Sequence, residues 1–402
     1  LTWRITLSKQ ISIQELAKVV TGRTTSLFDE AFAAVVPELQ ERVTGKNLLF
    51  TGGAGFIGTE TLKVLLQFEP RSVVVADSSE NMLAEMVREL RSSGALYGST
   101  QIEPRLIDIT SPLVDRLWDG LDPIDSAYQF AAAKHVRSER DPVSLLRMIQ
   151  VNLNGTMRMT KSLTESNPDA YVFVVSTDKA ADPSSLMGAS KRLMEMAILG
   201  SYPAATTTRF ANVAFSNGSL LESWVLRLRE GQPLAVPSDT WRYFVSPSEA
   251  GQVCAIASVA PAGSIVVPDE EETGNVELES ALTAVLDHLN LKPTFVSEQE
   301  ALADKGRAPN TVPVVRSQRD TAGEKREEKF VAHNNSRQDW LPNVGLVQAL
   351  HDAQAADSMA AWVDEQINGD ATLTVADVSD AVAEFVPEFR HVRSAKRLDD
   401  RL

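Results

Sequence analysis

An acidic and a basic residue, Asp178 and Lys179, directly follow the apolar segment 171–175, which has the composition of a buried strand. In open α/β sheets the carboxyl ends of parallel strands carry the active site, so a charged pair at this point is a candidate for catalysis. An adjacent acid and base can donate and remove protons on one substrate. The alternative interpretation is a surface salt pair without a chemical role.

A second lysine, Lys191, stands one helical turn after Met187, in a segment that is predicted to open a helix. Residues with this spacing share one face of a helix, so the two side chains are expected to point to the same side. A lysine at this place can reach the ribose beside a nicotinamide ring. Taken alone, a lysine on a helix is more often a solvated residue, so its role depends on the other motifs.

A glycine-rich turn with the sequence TGGAGFIG, residues 51–58, follows a short apolar strand and opens an amphipathic helix. In a dinucleotide site Gly52 permits the tight turn, Gly55 lets the backbone approach a pyrophosphate, and Gly58 allows close packing of helix against strand. The start of the helix then offers free N–H groups and a positive dipole end to the phosphates. The alternative is a glycine turn that holds no ligand.

The choice of cofactor depends on Asp77, which ends the next predicted strand about 20 residues further on, where dinucleotide sites carry an acidic residue. A carboxylate there accepts hydrogen bonds from ribose hydroxyls and repels a 2′-phosphate. Residues 78–81 contain no arginine that would neutralise such a phosphate. The sequence therefore favours NAD over NADP. Asp108, after the third strand, either approaches the adenine edge or caps the turn that follows it.

The predicted cofactor-binding positions share a place in this turn or at a strand end, and they are Gly52, Gly55, Phe56, Ile57, Gly58, Asp77, Ser78, Asp108, Ile109, Ala131, Ala132 and Lys191.

Alternating strands and helices surround these residues from position 46 onward. Strands are expected at 47–51, 72–77, 105–107, 126–130, 171–175 and 207–210. Helical stretches such as 143–163 and 187–199 separate them. This alternation predicts an α/β fold with a parallel sheet that is covered on both faces.

The flanking segments are predicted to be helical. Ser12 and Glu15 have the spacing of a capping box, and a second helix is expected over 28–43 with an interruption at Pro37. These helices are expected to dock on the chain itself or on a partner subunit, and we expect a homo-oligomer. The charge-dense stretch 316–329 is predicted to be an exposed connection, and the tail 344–402 to be mostly helical.

The composition narrows the possible partners. Lys and Arg total 39 against 54 Asp and Glu, which gives a net charge of −15 among 402 residues. Such a surface repels nucleic acid and anionic lipid, so we expect neither as a partner.

The chain has one cysteine, which suits a reducing cytoplasm, and its histidines lack the spacing of zinc ligands, so no metal is expected. No apolar run reaches the roughly 18 residues that span a bilayer, and the first residues do not resemble a signal peptide. We therefore expect a cytoplasmic protein.

Several motifs together resemble the extended short-chain dehydrogenase/reductases, and within them the sugar-nucleotide 4,6-dehydratases of capsular-polysaccharide and flagellin-glycan biosynthesis. The Ser-Thr-Asp-Lys-Ala segment with its downstream lysine is specific to this group, whereas the glycine turn is common to the superfamily. The matching segments span about residues 46–330, and they are 51–58, 131–136, 176–180, 187–192, 209–213, 241–244 and 323–325.

The resemblance implies a role for each site residue. Lys191 would hold the nicotinamide ribose, and Thr177 would hydrogen-bond the C4 oxygen of the sugar. Asp178 would protonate the departing C6 hydroxyl, and Lys179 would remove the C5 proton. In the implied reaction, hydride transfer from C4 to NAD acidifies C5, water leaves, and the hydride returns to C6. The implied substrate-binding residues are Lys134, Asn212, Ser219, Arg242 and Glu324, while His135 is expected to be structural.

One position departs from the superfamily pattern. Met187 stands where the usual active-site residue is Tyr, and a thioether cannot act as a base. Some larger members of the resembling group also have Met at this position. Deprotonation of the C4 hydroxyl would then use Thr177, Asp178 or a water held by Lys191. The alternative is that Met187 is a packing residue in a protein that binds a dinucleotide without turnover.

The sequence as a whole predicts an NAD-dependent UDP-N-acetylhexosamine 4,6-dehydratase that acts on UDP-N-acetylglucosamine. One alternative is a UDP-sugar 4-epimerase, which shares the first hydride step but has no need of the Asp178–Lys179 pair. Another is a non-catalytic protein that binds a dinucleotide or a sugar nucleotide. The predicted fold is a doubly wound Rossmann sheet with a smaller C-terminal domain, divided as an N-terminal helical extension (1–45), an NAD-binding Rossmann domain (46–208), a UDP-sugar domain (209–340) and a C-terminal helical extension (341–402).

Overall fold

The computed structural model describes residues 12–96, 99–134, 139–202, 204–303, 309–318, 323–348, 351–370 and 372–391. The strands are β1 (Asn47–Thr51), β2 (Ser72–Asp77), β3 (Gln101–Leu106), β4 (Ser126–Gln129), β5 (Tyr171–Val175), β6 (Thr206–Thr208), β7 (Asn212–Val213), β8 (Leu234–Pro237), β9 (Trp241–Val245), β10 (Ile265–Pro268), β11 (Asn275–Glu277), β12 (Lys292–Phe295), β13 (Thr311–Ser317), β14 (Arg337–Leu341) and β15 (Val344–Val347).

The helices lie between and around these strands. They are α1 (Ile13–Thr21), α2 (Asp29–Ala34), α3 (Val36–Val43), α4 (Phe56–Leu66), α5 (Glu80–Ser92), α6 (Pro142–Ile149), α7 (Thr156–Ser166), α8 (Leu186–Ser201), α9 (Leu220–Glu230), α10 (Pro247–Ala257), α11 (Glu270–Thr273), α12 (Leu278–His288), α13 (Glu298–Leu302), α14 (Ala353–Asn368) and α15 (Val375–Phe385). A π-helical turn, Gln150–Gly155, joins α6 to α7. Across the described part of the chain, no helix combines the length and the apolar character that a membrane span requires.

A nine-stranded sheet forms the centre of the molecule, in the order β14-β15-β10-β6-β5-β4-β1-β2-β3. The strands from β3 to β10 pair in parallel, and β15 and β14 add an antiparallel edge. Central strands such as β1 and β5 are buried along their whole length, as strands covered on both faces must be. The chain crosses from β3 past β1 to β4, so a crevice opens where the strand order reverses. The predicted Rossmann fold is confirmed.

Two small three-stranded sheets, β11-β9-β7 and β12-β13-β8, follow the parallel strands in the chain. They share a second apolar core with helices α1, α9 and α12, in which Leu16, Trp224 and Leu282 are fully buried. Strand β7 begins only a few residues after β6, so this lobe continues from the carboxyl edge of the large sheet.

The N-terminal helices pack on their own chain. Ser12 caps α1 by accepting a hydrogen bond from the Glu15 amide, and α1 ends at Gly22, which adopts φ 69°. Arg23 then donates two hydrogen bonds of 2.8 Å to the buried carboxylate of Glu249. The predicted second helix is two helices, because Pro37 lies in the first turn of α3. Docking on the chain itself is thus confirmed, while a homo-oligomer stays a prediction.

Two predictions about the C-terminal half need correction. The stretch 316–329 is only in part the predicted exposed connection: it begins within β13, and the Arg326 side chain is exposed, but Glu328 is only 4% exposed. The Glu328 carboxylate lies 3.8 Å from Lys325, a contact that local charge density does not reveal. The described part of the tail from Val344 is mostly helical, as predicted, but it does not begin as a helix, because β15 pairs with β10 in the large sheet before α14 starts.

A buried carboxylate, Glu195 of α8, joins the ends of two central strands to that helix. It accepts hydrogen bonds from the Ser176 hydroxyl (2.6 Å) after β5 and from two nitrogens of Arg209 (2.8 and 2.5 Å) after β6. Burial raises the pKa of Glu195, but the charge and hydrogen bonds of Arg209 outweigh it and hold the pKa below its ordinary value. Arg209 also donates to the Phe330 carbonyl at 3.3 Å.

Substitution of this carboxylate is expected to destabilise the whole domain. Glu195→Ala leaves the guanidinium of Arg209 buried without a counter-charge, a change that costs about 3–5 kcal/mol. Denaturant unfolding of the parent and the variant measures this loss. As a matched control, Lys161→Ala removes an exposed ion pair with Glu165 and is expected to cost less than about 1 kcal/mol. Equal effects of the two substitutions would contradict the prediction.

Candidate functional site

A cavity of about 990 Å³ lies along the carboxyl ends of the parallel strands and extends under the smaller lobe. All of the predicted cofactor-binding positions line it, and so do Thr177, Lys179 and Met187. The predicted substrate-binding residues line the other part of the same cavity, and they are Lys134, Asn212, Ser219, Arg242 and Glu324. The structure therefore brings together residues that lie as much as 272 positions apart in the chain (residues 52 to 324).

The glycine turn is built so that side chains cannot enter it. Gly52 has φ 63°, and a Cβ atom at this position would lie 2.4 Å from the backbone nitrogen of Ala131. A Cβ on Gly58 would lie 2.8 Å from the Cα of Gly53. Gly55 precedes the first turn of α4 and provides no side-chain cap, so the N–H groups of that turn remain available to an anion. The residues present thus fit the pyrophosphate of a dinucleotide.

Asp77 lies at the end of β2 with its side chain almost buried in the cavity wall. One carboxylate oxygen accepts a hydrogen bond from the Ser79 amide at 3.0 Å. Burial raises the pKa of this carboxyl, and hydrogen bonds from neighbouring backbone amides oppose that rise only in part. A desolvated acceptor of this kind is suited to the hydroxyls of a ribose.

Asp108 behaves as a turn-capping residue and also borders the cavity. Its carboxylate accepts from the amide and the hydroxyl of Thr110, at 2.9 and 2.8 Å, and it forms an ion pair with Arg147. Burial raises the pKa of Asp108, but the Thr110 hydrogen bonds and the Arg147 charge hold it below its ordinary value. Sequence reasoning missed Arg147, which carries no motif and reaches the cavity from α6.

The Asp178–Lys179 pair is largely withdrawn from solvent. Asp178 is 1% exposed, and its Oδ1 accepts hydrogen bonds from the Thr177 hydroxyl (2.7 Å) and the Lys179 ammonium (2.9 Å). Thr177 and Lys179 line the cavity, whereas Asp178 lies behind them and does not. The interpretation as a surface salt pair is therefore wrong. Thr177 and Lys179 thus offer a route for a proton between Asp178 and the cavity.

Lys179 holds its proton firmly in this arrangement. Burial lowers the pKa of the ammonium group, but the charges of Asp178 and of Glu328 outweigh it and raise the pKa above the ordinary value. Glu328 belongs to the segment that was expected to be exposed, and its carboxylate also lies 3.8 Å from Lys325. The positive charge of Arg242 opposes this rise in the pKa of Lys179.

Lys191 and Met187 lie on α8, facing the cavity. The Lys191 ammonium donates to the Val175 carbonyl at 2.8 Å, which places it beside the end of β5. Burial lowers the pKa of Lys191 to about 8, although the nearby Glu195 charge opposes this. Met187 is buried, and its amide donates to a carboxylate oxygen of Glu139 at 3.0 Å.

The predicted substrate-binding end of the cavity is bordered by the segment after β13. Arg242 donates to the carbonyls of Lys325 and Arg326 at 3.1 Å each, and its other terminal nitrogen lies 3.6 Å from Glu324. Ser219 caps α9, and the Asn212 amide makes a long bond of 3.4 Å to the Tyr243 carbonyl. Arg242 thus organises the Glu324 segment as well as lining the cavity. His135 lies outside the described residues.

Fold and cavity together define a Rossmann-type α/β protein with a deep cleft between the sheet and a second lobe. Residues 48–338 match the family model described as "Polysaccharide biosynthesis protein". This region is well over half of the chain, and the protein belongs to that family. The predicted resemblance to the extended short-chain dehydrogenase/reductases and their polysaccharide-biosynthesis branch is confirmed.

Two curated relatives illustrate the likeness. The "Capsular polysaccharide biosynthesis protein CapD" of Staphylococcus aureus is 29% identical over 277 residues, which cover 65% of this chain and 44% of that protein. The match thus spans less than half of the relative's length. A "UDP-N-acetylglucosamine 4,6-dehydratase (inverting)" of Campylobacter jejuni is 26% identical over 213 residues, 50% of this chain and 60% of that protein.

Solved structures share the fold at low sequence identity. Pen from Bacillus thuringiensis superimposes with a TM-score of 0.62 at 19% identity, and the match covers 81% of this chain and 98% of that one. A UDP-N-acetylglucosamine 4-epimerase from Methanobrevibacter ruminantium gives 0.53 at 14% identity, covering 73% and 91%. At such identities these neighbours support the fold alone.

The burial of Lys191 predicts a pH dependence of stability. Its pKa is about 8 in the folded chain and 10.5 when exposed, so between these values the unfolded state binds more protons than the native state. The free energy of unfolding therefore gains a contribution from this residue as the pH rises from about 8 to 10.5, of at most about 3 kcal/mol.

Comparison with Lys191→Met isolates this contribution. The variant lacks the titrating group, so its stability relative to the parent is expected to be highest near pH 8 and to decline toward pH 10.5. Denaturant titrations of both proteins across this range measure the difference. A constant difference would show that Lys191 is not desolvated as the structure indicates.

Proposed function

We propose that this chain is an NAD-dependent UDP-N-acetylhexosamine 4,6-dehydratase, with UDP-N-acetylglucosamine as its substrate, in polysaccharide or glycan biosynthesis. The observation that carries the proposal is the hydrogen-bonded Thr177–Asp178–Lys179 group at the wall of a cavity. The glycine turn, residues 51–58, lies at the other end of the same cavity. The name of the Campylobacter jejuni relative supports the same reaction. Residence in the cytoplasm is part of the proposal. So is the division of the chain at 45, 208 and 340, except that β10, β14 and β15, which follow residue 208, belong to the large sheet.

The cofactor would be held by the backbone of the glycine turn, by Asp77 and by Lys191. The close approach of Gly52 to Ala131 keeps side chains out of the phosphate region. The Asp77 carboxylate would accept the hydroxyls of the adenosine ribose. The Lys191 ammonium would bind the nicotinamide ribose, at the end of β5. Held by these residues, NAD would supply a reversible hydride acceptor beside the sugar.

A proton from the C4 hydroxyl must leave during the first step, and Met187 cannot accept it. The Thr177 hydroxyl lies at the cavity wall and donates to Asp178 at 2.7 Å. Thr177 would accept the C4 proton as it passes its own proton to the Asp178 carboxylate. The lost function of the usual Tyr would thus fall to a buried carboxylate that acts through a hydroxyl.

Removal of the C5 proton requires Lys179 as a neutral amine. In the resting state Asp178 and Glu328 hold the ammonium form. Protonation of Asp178 would remove one of these charges, which would lower the pKa of Lys179 and favour release of its proton to water in the cavity. The neutral amine would then take the C5 proton and return a proton to C5 when the hydride reaches C6. The proton stored on Asp178 would then serve the departing C6 hydroxyl, through Thr177 or Lys179. Coupling between these two residues thus links oxidation at C4 to elimination at C5 and C6.

The remaining cavity residues suit a UDP-sugar. Lys134 offers a positive charge to a diphosphate in a chain whose net charge is −15. Arg242 and Glu324 border the same region with Asn212 and Ser219, which can hydrogen-bond hydroxyl and carbonyl groups. A small-molecule substrate fits this lining.

A UDP-sugar 4-epimerase is the second candidate, because relatives in Rickettsia are named "UDP-glucose 4-epimerase". The Rickettsia prowazekii protein is 25% identical over 209 residues, 50% of this chain and 58% of that protein. An epimerase needs oxidation at C4 but no proton transfer at C5. The role of Lys179 therefore distinguishes the two reactions, and absence of any turnover would favour a binding protein.

The cofactor assignment predicts a preference for NAD over NADP. Asp77→Ala removes the carboxylate that repels a 2′-phosphate, so the ratio of the two dissociation constants is expected to fall by about tenfold, the equivalent of 1.4 kcal/mol. Calorimetric titration with both dinucleotides measures the ratio, and Asp119→Asn at an exposed remote site is the control. Equal affinity of the parent protein for NAD and NADP would contradict the assignment.

The base assignment predicts where catalysis stops in Lys179→Ala. NAD affinity and oxidation at C4 are expected to persist, since neither needs this amine. Dehydration is expected to fall by about 10²–10⁴-fold, the contribution of a positioned base. A single-turnover experiment in D₂O should then show NADH and a 4-keto sugar without deuterium at C5.

Lys161→Ala, at an exposed lysine remote from the cavity, controls for the loss of one positive charge. A Lys179→Ala protein that dehydrates its substrate at the parent rate would show that the base is another group.

A further inference from the structure

The helix that carries Met187 and Lys191 is held at its first turn by a carboxylate from outside the helix. Glu139 is 4% exposed, and its Oε1 accepts the Met187 amide at 3.0 Å. The amides at the start of a helix have no partner within it, so such a contact satisfies one of them. A carboxylate at this end is also favoured by the helix dipole. Glu139 thus fixes the backbone of α8 where it borders the cavity.

The other oxygen of this carboxylate points to the C-terminal part of the chain. Glu139 Oε2 lies 3.7 Å from Nε2 of His391, and both atoms are buried without a hydrogen-bond partner among the described residues. The second ring nitrogen of His391 bonds the Ser379 hydroxyl of α15 at 3.0 Å. The imidazole is therefore oriented from one side by α15 and faces Glu139 with the other.

The described part of the C-terminal segment, residues 351–370 and 372–391, packs against the same helix. Apolar residues of α14 and α15, among them Met359, Val378 and Val382, share a core with Leu186 and Leu193 of α8. The Arg390 amide donates to the Pro183 carbonyl at 3.0 Å, in the loop between Lys179 and α8. The C-terminal partners in these contacts lie beyond residues 48–338, the part that matches the family model.

We propose that Glu139 is a positioning residue for the reactive helix, and that His391 of the C-terminal segment holds Glu139 in place. As far as it concerns catalysis, this inference rests on the proposed function. Glu139 does not line the cavity and so acts through the backbone of Met187, one turn before Lys191. A displacement of about 1 Å at such a place can cost about 10²-fold in rate. The predicted substrate-binding residues, such as Asn212 and Ser219, lie on other elements, so a shift of α8 is not expected to displace them.

The test compares Glu139→Ala with Glu139→Gln, which keeps a carbonyl oxygen for the Met187 amide. Glu139→Ala is expected to lower kcat for dehydration by about 10- to 100-fold with little change in the KM for UDP-N-acetylglucosamine. Glu139→Gln is expected to recover most of that loss. His391→Phe, which fills the same space without the ring nitrogens, is expected to show a smaller fall in kcat. Glu384→Gln, on an exposed site of α15, is the control and should match the parent.

Hydrogen exchange of the first turn of α8 provides a readout that does not depend on turnover. Exchange there should be faster in Glu139→Ala and His391→Phe than in the parent and in Glu139→Gln. If the parent does not dehydrate the sugar nucleotide, the proposed function fails, but the exchange data still decide whether Glu139 and His391 position α8. If Glu139→Ala does not fold, the His391→Phe and Glu139→Gln pair carries the comparison. The inference would be overturned if Glu139→Ala changed neither the hydrogen exchange of the first turn of α8 nor kcat. If Glu139→Ala does not fold, the same result for His391→Phe would overturn it.

Discussion

The carboxylate of Glu195 connects the elements that carry the reactive residues. Ser176, which bonds it, immediately precedes Thr177, Asp178 and Lys179. Arg209, which forms its ion pair, immediately precedes the stretch that leads to Asn212 and also holds the Phe330 carbonyl. Glu195 itself lies on the helix of Met187 and Lys191. This buried charge holds two strand ends and one helix together through an ion pair and a hydrogen bond.

In the proposed reaction, the position of Asp178 would allow a site without the usual Tyr to move protons. Its Oδ1 bonds both the hydroxyl and the ammonium that reach the cavity, while the carboxylate itself stays behind them. The protonation state of Asp178 therefore acts on Thr177 and Lys179 together. A buried lysine between two carboxylates holds its proton until one of them is neutralised. In the proposed reaction that neutralisation accompanies oxidation, which would order the steps.

Sequence patterns predicted the parts of the structure that depend on local chemistry. The glycine turn, Asp77 and the strand–helix alternation follow rules of backbone geometry and burial that a single segment displays. The reactive segment was found because it follows an apolar strand. All but one of the predicted site residues line one cavity, and the exception, Asp178, contacts two that do.

Other features depend on contacts that no local segment displays. The charge density of 316–329 indicated exposure, yet Glu328 is buried. Its carboxylate interacts with Lys179, which is distant in the chain, and with Lys325, three residues before it. Strand β15 was missed because four residues preceding a long helix show no alternation, and its pairing with β10 comes from the sheet edge. Arg147 and Glu139 reach the site region through tertiary packing, and neither belongs to a motif.

The central claim is that the cavity eliminates water from a UDP-N-acetylhexosamine. The most direct measurement is the mass of the sugar nucleotide after incubation of the purified protein with UDP-N-acetylglucosamine and NAD. The account predicts a product lighter by one water, with no net consumption of NAD. A product of unchanged mass with altered configuration at C4 would contradict it in favour of epimerisation, and an unchanged substrate would contradict it in favour of binding without turnover.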